Sequence, residues 1–152
     1  MSIFHLHPVA KVTSSRREPI DDSWGSIVSE IILANRVPAE ALDGIESFSH
    51  LEIVYLFDQV DEESIVKSGR PRGNPRFPRV GIFAQRKKER PNRLGLCTVR
   101  LLGRSGRTLR VRGLDAIDGT PVVDIKPVFR EFQPKGRIRQ PAWVSSLMRN
   151  YW

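Results

Sequence analysis

Cysteine is almost absent from this 152-residue sequence, Cys97 being the only one. A single thiol excludes an intrachain disulfide and a cysteine-based zinc site, and it suits a reducing compartment. Between Leu96 and Thr98, in a strand-like run, it reads as a small core residue rather than a nucleophile. Histidine is scarce too: the spacing of His5, His7 and His50 fits no common site, so no metal is expected. No apolar run approaches the roughly 18 residues that a membrane helix needs. The N-terminus has no basic region followed by a long apolar stretch, so a soluble, cytoplasmic protein is expected. A G-x-G-x-x-G loop opening a helix is also missing, which argues against the doubly wound dinucleotide-binding fold.

Acidic residues are scarce in one region only. Residues 1–66 hold four Lys/Arg against twelve Asp/Glu, residues 67–112 hold fifteen against one, and residues 113–152 hold six against four. Fifteen cations with one acid would repel one another unless an anion arrives, so the middle third reads as a polyanion surface, RNA above all. Residues 67–79, with Gly, Pro and the single aromatic Phe77, suggest a mobile loop. Arg70, Arg72, Arg76 and Arg79 there, with Lys87, Lys88 and Arg93 beyond it, would meet phosphates and position RNA without reading its sequence. A basic loop kept for solubility is the plainer alternative.

With 39% apolar content and no obvious linker, the chain is expected to form one domain over 1–152, with a core over 8–128 and a C-terminal tail over 129–152. Residues 9–13, 26–33, 50–57, 80–84, 98–103, 108–113 and 121–125 read as short strands separated by Pro, Gly, Asp or Asn. The clearest hairpin sets 97–102 against 108–112. Leu109 and Val111 alternate there with Arg110 and Arg112, which predicts one buried face and one wet, basic face. Helix is suggested only at 38–42, as a short turn, and at 142–151. The fold class is therefore all-β, a single small antiparallel barrel of about seven strands, since closure removes exposed edges.

Two segments carry more than scaffold. Residues 86–95 (RKKERPNRLG) set a Pro-Asn turn, a Gly and three arginines between apolar runs, and residues 114–127 (LDAIDGTPVVDIKP) place Asp115, Asp118, Asp124 and Lys126 in an otherwise apolar stretch. Half-buried charges are costly unless paired or holding a ligand. Asp118-Gly119 alone suits a hairpin turn equally well. GIFAQR at 81–86, RPNRLGL at 90–96, LDAIDGTPVVDIKP at 114–127 and LDGIESFSHLEIVYLFDQ at 42–59 resemble the blocks of the S-adenosylmethionine-dependent tRNA methyltransferases of the TsaA-like or YaeB-like (TrmO-type) family. The resemblance covers roughly residues 8–128.

That resemblance implies a barrel fold and S-adenosylmethionine as cofactor. It further implies N6-methylation of threonylcarbamoyl-adenosine beside the tRNA anticodon, and a homodimer. By position it assigns Asp58, Gln59, Arg86, Leu96 and the turn Asp115, Ala116, Ile117, Asp118 to cofactor contact. Arg90, Pro91 and Asn92 shape the same pocket, Gly119 and Thr120 close it, and Arg17, Glu18 and Pro19 reach it from an N-terminal loop. Asp124 and Lys126, two apart on one strand face, are expected to form a supporting ion pair. The chain departs from the family at Arg93, in place of a proline, at Cys97, in place of a serine, and at Asp58, in place of a common histidine. No counterpart of the extra C-terminal domain of the best-known bacterial relatives is expected within residues 1–152. Other readings stay open: a cofactor- or RNA-binding regulatory barrel without transfer, or a methyltransferase for another acceptor. The tail, with Trp143, Tyr151 and Trp152, suits either RNA or a dimer surface.

Overall fold

Alternation of apolar and polar residues builds the barrel wall. In the computed structural model, which describes residues 1–152, the strands are β1 (Ala10–Thr13), β2 (Val28–Leu33), β3 (His50–Leu56), β4 (Ser68–Gly69), β5 (Val80–Gly81), β6 (Leu94–Ser105), β7 (Thr108–Arg112) and β8 (Pro121–Pro127). Six of them close into an antiparallel barrel in the order β1-β2-β7-β6-β3-β8. Inward positions of successive strands supply Ala10 and Val12, Ile31 and Leu33, Leu51 and Ile53, Cys97 and Val99, Leu109 and Val111, and Val122. Each buried Val, Leu or Ile contributes on the order of 1.5–3 kcal/mol of transfer free energy. Closure leaves no barrel strand with an unpaired edge.

The all-β barrel with little helix is as expected, with three differences in detail. Residues 80–84 do not join the barrel: Val80–Gly81 pairs with Ser68–Gly69 as a separate ribbon, and Ile82–Ala84 turns into a 3-10 helix. Second, β6 begins at Leu94 rather than 98, because Leu94–Cys97 pairs residue for residue with Leu56–Ile53. Third, β8 lies between β1 and β3, so residues 113–120 are a crossover and Asp118-Gly119 closes no hairpin. The β6–β7 hairpin forms as read, with Arg100, Arg110 and Arg112 on its outer face.

Residues 67–79 are not a featureless loop. Gly73 N–H donates to Arg70 O, Asn74 N–H to Pro71 O and Phe77 N–H to Asn74 O, while Asn74 Oδ1 accepts from Arg76 N–H. Only residues 142–147 of the expected C-terminal helix are helical, as α1 (Ala142–Leu147), with turns to the end of the chain. The expected pair of Asp124 and Lys126 forms at 2.9 Å, exposed to solvent. No helix is long and apolar enough to cross a membrane.

Candidate functional site

One rim of the barrel gathers the ends of β1, β3 and β7 and the starts of β2, β6 and β8, because every neighbouring pair is antiparallel. The connections that hold residues 86–93 and 113–120 therefore meet there with Asp58 and Gln59, whereas residues 42–49 lie at the opposite rim. Asp115 follows β7 between the buried Leu114 and Ala116. Its Oδ1 accepts from the Tyr55 hydroxyl at 2.5 Å, and its Oδ2 from the Tyr151 hydroxyl. Tyr55 is an inward residue of β3 and only 2% exposed, so its phenol reaches up the barrel axis to this carboxylate.

Burial, followed by the negative charge of Asp115, pushes both phenols above the ordinary tyrosine range, so each keeps its proton and donates it. Cys97, one barrel layer below, donates from Sγ to Gly113 O at 3.2 Å. Burial raises its thiol in the same way, which makes it a neutral packing group rather than a nucleophile.

The crossover is fixed at its other end by the β1–β2 connection. Asp118 Oδ1 accepts from Ser14 N–H at 3.0 Å, Asp118 N–H donates to Arg16 O, and Gly119 N–H donates to Val12 O. Gly119 sits at φ 84°, a left-handed conformation open to glycine at little cost. Thr120 is buried and caps the turn by donating to Ile117 O at 2.7 Å. The Arg16 guanidinium lies 4.0 Å above the Trp24 ring and donates to Asp22 O and Ser23 O. Ser23 and Trp24 N–H donate in turn to Asn150 O and Tyr151 O. The C-terminal segment is thereby laid across the rim and delivers Tyr151 to Asp115.

Arg86 leaves the 3-10 turn that follows β5, and its Nη2 donates to Leu96 O at 2.8 Å. Its positive charge acts on both Cys97 and Tyr151, which places it beside the Asp115 cluster. Leu96 projects outward from β6 and is 49% exposed, an apolar side chain on the residue whose carbonyl Arg86 bonds. Arg90 donates to Gln85 O and Lys87 O and closes the loop on itself. Gln85 is buried, and its Nε2 ties the loop to Gly69 O and Val80 O while its Oε1 has no partner in the chain. Asn92 and Arg93 are consecutive left-handed residues, at φ 63° and 51°. Arg93 N–H donates to Arg90 O, and its side chain donates to Val60 O at 2.6 Å. Phe57 N–H bonds Arg93 O, so the exposed Asp58 and Gln59 sit at the same end of β3. Arg17, Glu18 and Pro19 are exposed on the β1–β2 connection.

The basic residues singled out by the sequence divide into two groups. Arg70 donates to Phe77 O, Arg72 is paired with Asp22 at 2.8 Å, Lys87 and Lys88 flank Glu89, and Arg93 is spent on Val60 and Glu62. Arg76 and Arg79 remain exposed. The residues that the sequence did not reveal are Tyr55, Tyr151, Ser14, Arg16 and Trp24. A polar-tipped tyrosine at an inward strand position was a signal for the first. Nothing local signals Tyr151, which lies 36 residues beyond the carboxylate it contacts.

The family described as the tRNA-methyltransferase O N-terminal domain matches residues 10–133. The chain belongs to this family. It is 36% identical over 127 residues to an S-adenosyl-L-methionine-binding protein of Archaeoglobus fulgidus, covering 80% of this chain and 86% of that one. It is 33% identical over 115 residues to a human tRNA (adenine(37)-N6)-methyltransferase, covering 74% of this chain and 25% of the human protein. A crystal structure of TrmO from Pseudomonas aeruginosa superposes with a TM-score of 0.76 at 26% identity, covering 94% of this chain and 62% of that one. The chain thus spans under two thirds of that solved relative and a quarter of the human one.

Proposed function

We propose that this chain binds S-adenosylmethionine at the described rim and methylates N6 of adenosine in tRNA, with threonylcarbamoyl-adenosine beside the anticodon as the acceptor. The observation that carries the reading is the juxtaposition of Arg86, Leu96 and the Asp115–Asp118 crossover at one end of the barrel. Its donor set suits the cofactor. Leu96 offers an apolar surface, and Asp58, Glu18 and the second oxygen of Asp118 offer acceptors for an amino group and ribose hydroxyls. Asp115, with each oxygen already accepting from a phenol, acts as the post that fixes the crossover; Ala116, 3% exposed, packs in the core, which leaves the half-buried Ile117 to meet the ligand.

When bound, the cofactor supplies an electrophilic methyl group; the chain's contribution is alignment of the acceptor nitrogen and exclusion of water. Arg17, Glu18 and Pro19 would cover the site from the β1–β2 connection, with Arg90, Pro91 and Asn92 forming its other wall. A homodimer and a cytoplasmic location accord with this reading. The direct test mixes the chain with methyl-labelled S-adenosylmethionine and tRNA that carries or lacks the threonylcarbamoyl group. Label is expected in the modified tRNA alone; equal label in both would change the acceptor, and label in neither would sink the transfer reaction. A second reading, cofactor binding without transfer, is favoured by one feature: Arg93 holds a φ of 51° that the family's proline cannot adopt, which reshapes the 90–93 turn.

A further inference from the structure

A cleft outside the rim lies between the 71–77 turns and the C-terminal helix α1. It has a volume of about 430 Å³, and its lining includes Asn74, Arg76, Phe77, Trp143, Ser146 and Arg149. The volume falls within the roughly 300–1,000 Å³ of small-ligand clefts. Two aromatic rings, Phe77 and Trp143, line it and pack on each other as a tilted pair, with centroids 6.2 Å apart and planes inclined at 46°, so a base would stack on the outside of the pair and not between the rings. Trp143, Ser146 and Arg149 are three residues apart, which puts them on one side of the helix and the turn that continues it. Neither Arg76 nor Arg149 is paired with a carboxylate in the chain. The neighbouring cations Arg70 and Arg72 are occupied within the fold and hold the turns in place.

We infer that this cleft is a subsite for one unstacked nucleotide of a single-stranded RNA segment. Trp143 and Phe77 take the base, and Arg76 and Arg149 take the flanking phosphates. Aromatic side chains stack on any base because every base has a π-face, and arginines beside them hold the backbone. Asn74 and Ser146 offer a hydrogen-bonding edge. The turns are already hydrogen-bonded in the free chain, so little ordering is required on binding. The inference rests on the reading of tRNA as substrate, and a tRNA anticodon loop supplies unpaired bases of this kind.

The test uses the full chain and a fluorescently labelled ten-nucleotide single-stranded RNA, with a duplex of equal length and S-adenosylmethionine titrated separately. Trp143→Ala is expected to weaken single-strand binding about tenfold, while Trp143→Phe, which keeps a stacking ring, stays within about twofold. Duplex affinity should not respond to either change, since a paired base cannot enter the cleft. The double change Arg76→Ala with Arg149→Ala should lower the salt dependence of binding by about two phosphate contacts. Unchanged single-strand affinity in Trp143→Ala, or equal losses for single strand and duplex, would overturn the subsite. Cofactor affinity, read in the same preparations, judges the rim independently: it is expected to be unaltered in all three variants, and its absence from the parent chain would count against the functional reading alone.

Discussion

Asp115 is the residue on which the rim turns. A carboxylate that accepts from two phenols is held in one orientation, and the crossover that contains Asp118 is held with it. Tyr151→Phe removes one donor to a charged group, which costs about 1–3 kcal/mol of stability. It should also weaken S-adenosylmethionine binding by about tenfold, as read by calorimetry, because the crossover loses a constraint. The same phenols make a pH prediction. Their folded-state pKa values are raised, so their stabilisation is fully present below the ordinary tyrosine value of 10.0 and is lost as pH rises above it. Thermal melts should therefore decline above pH 10, and the decline should be shallower in the doubly substituted Tyr55→Phe, Tyr151→Phe chain. Gly95 serves the same cluster: a Cβ there would lie 2.5 Å from Tyr55 ring carbons and 3.0 Å from Phe57 Cζ. Gly95→Ala should cost about 1–3 kcal/mol through forced displacement of the ring, and a chemical denaturation midpoint unchanged from the parent would contradict this packing.

Elements that repeat an alternation were legible in the sequence, and those set by a distant partner were not. Leu109 and Val111 between Arg110 and Arg112 disclose β7 because each inward residue is apolar and each outward one charged. Residues 80–84 look equally strand-like, yet their edge meets only Ser68–Gly69, and the chain turns away after two residues. The 67–79 segment reads as loop from its Gly and Pro content, whereas its turns are fixed by Asn74 and by Arg72 reaching Asp22, fifty residues upstream. Of the site, the 86–96 and 114–120 segments were visible as charges within apolar runs, and the tyrosines that orient Asp115 were not. The 90–93 turn gives a sharp test at this scale. Arg93→Pro restores the family's residue but forbids φ 51° and removes the N–H that bonds Arg90 O. It should destabilise the chain by about 1–3 kcal/mol, seen as a lower Tm, unless the loop finds a different path; a Tm at or above that of the parent would show the latter.

Across the whole molecule, charge is unevenly placed. The barrel rim holds Asp115, Asp118 and Arg86, the outer hairpin face carries Arg100, Arg110 and Arg112, and the 71–77 turns carry the unpaired Arg76. Arg100 stands directly opposite Arg112, a like-charge pair that is unfavourable until an anion screens it. Such a distribution suits a protein that holds a cationic cofactor at one place and a polyanion at another. The measurement that decides most is titration calorimetry of the purified chain with S-adenosylmethionine, run beside Asp118→Ala and Arg86→Ala variants whose melts confirm folding. Saturable binding by the parent chain, lost in both folded variants, is the expected result. Absence of binding by the parent chain, or binding undiminished in both variants, would contradict the assignment of the cofactor to this rim.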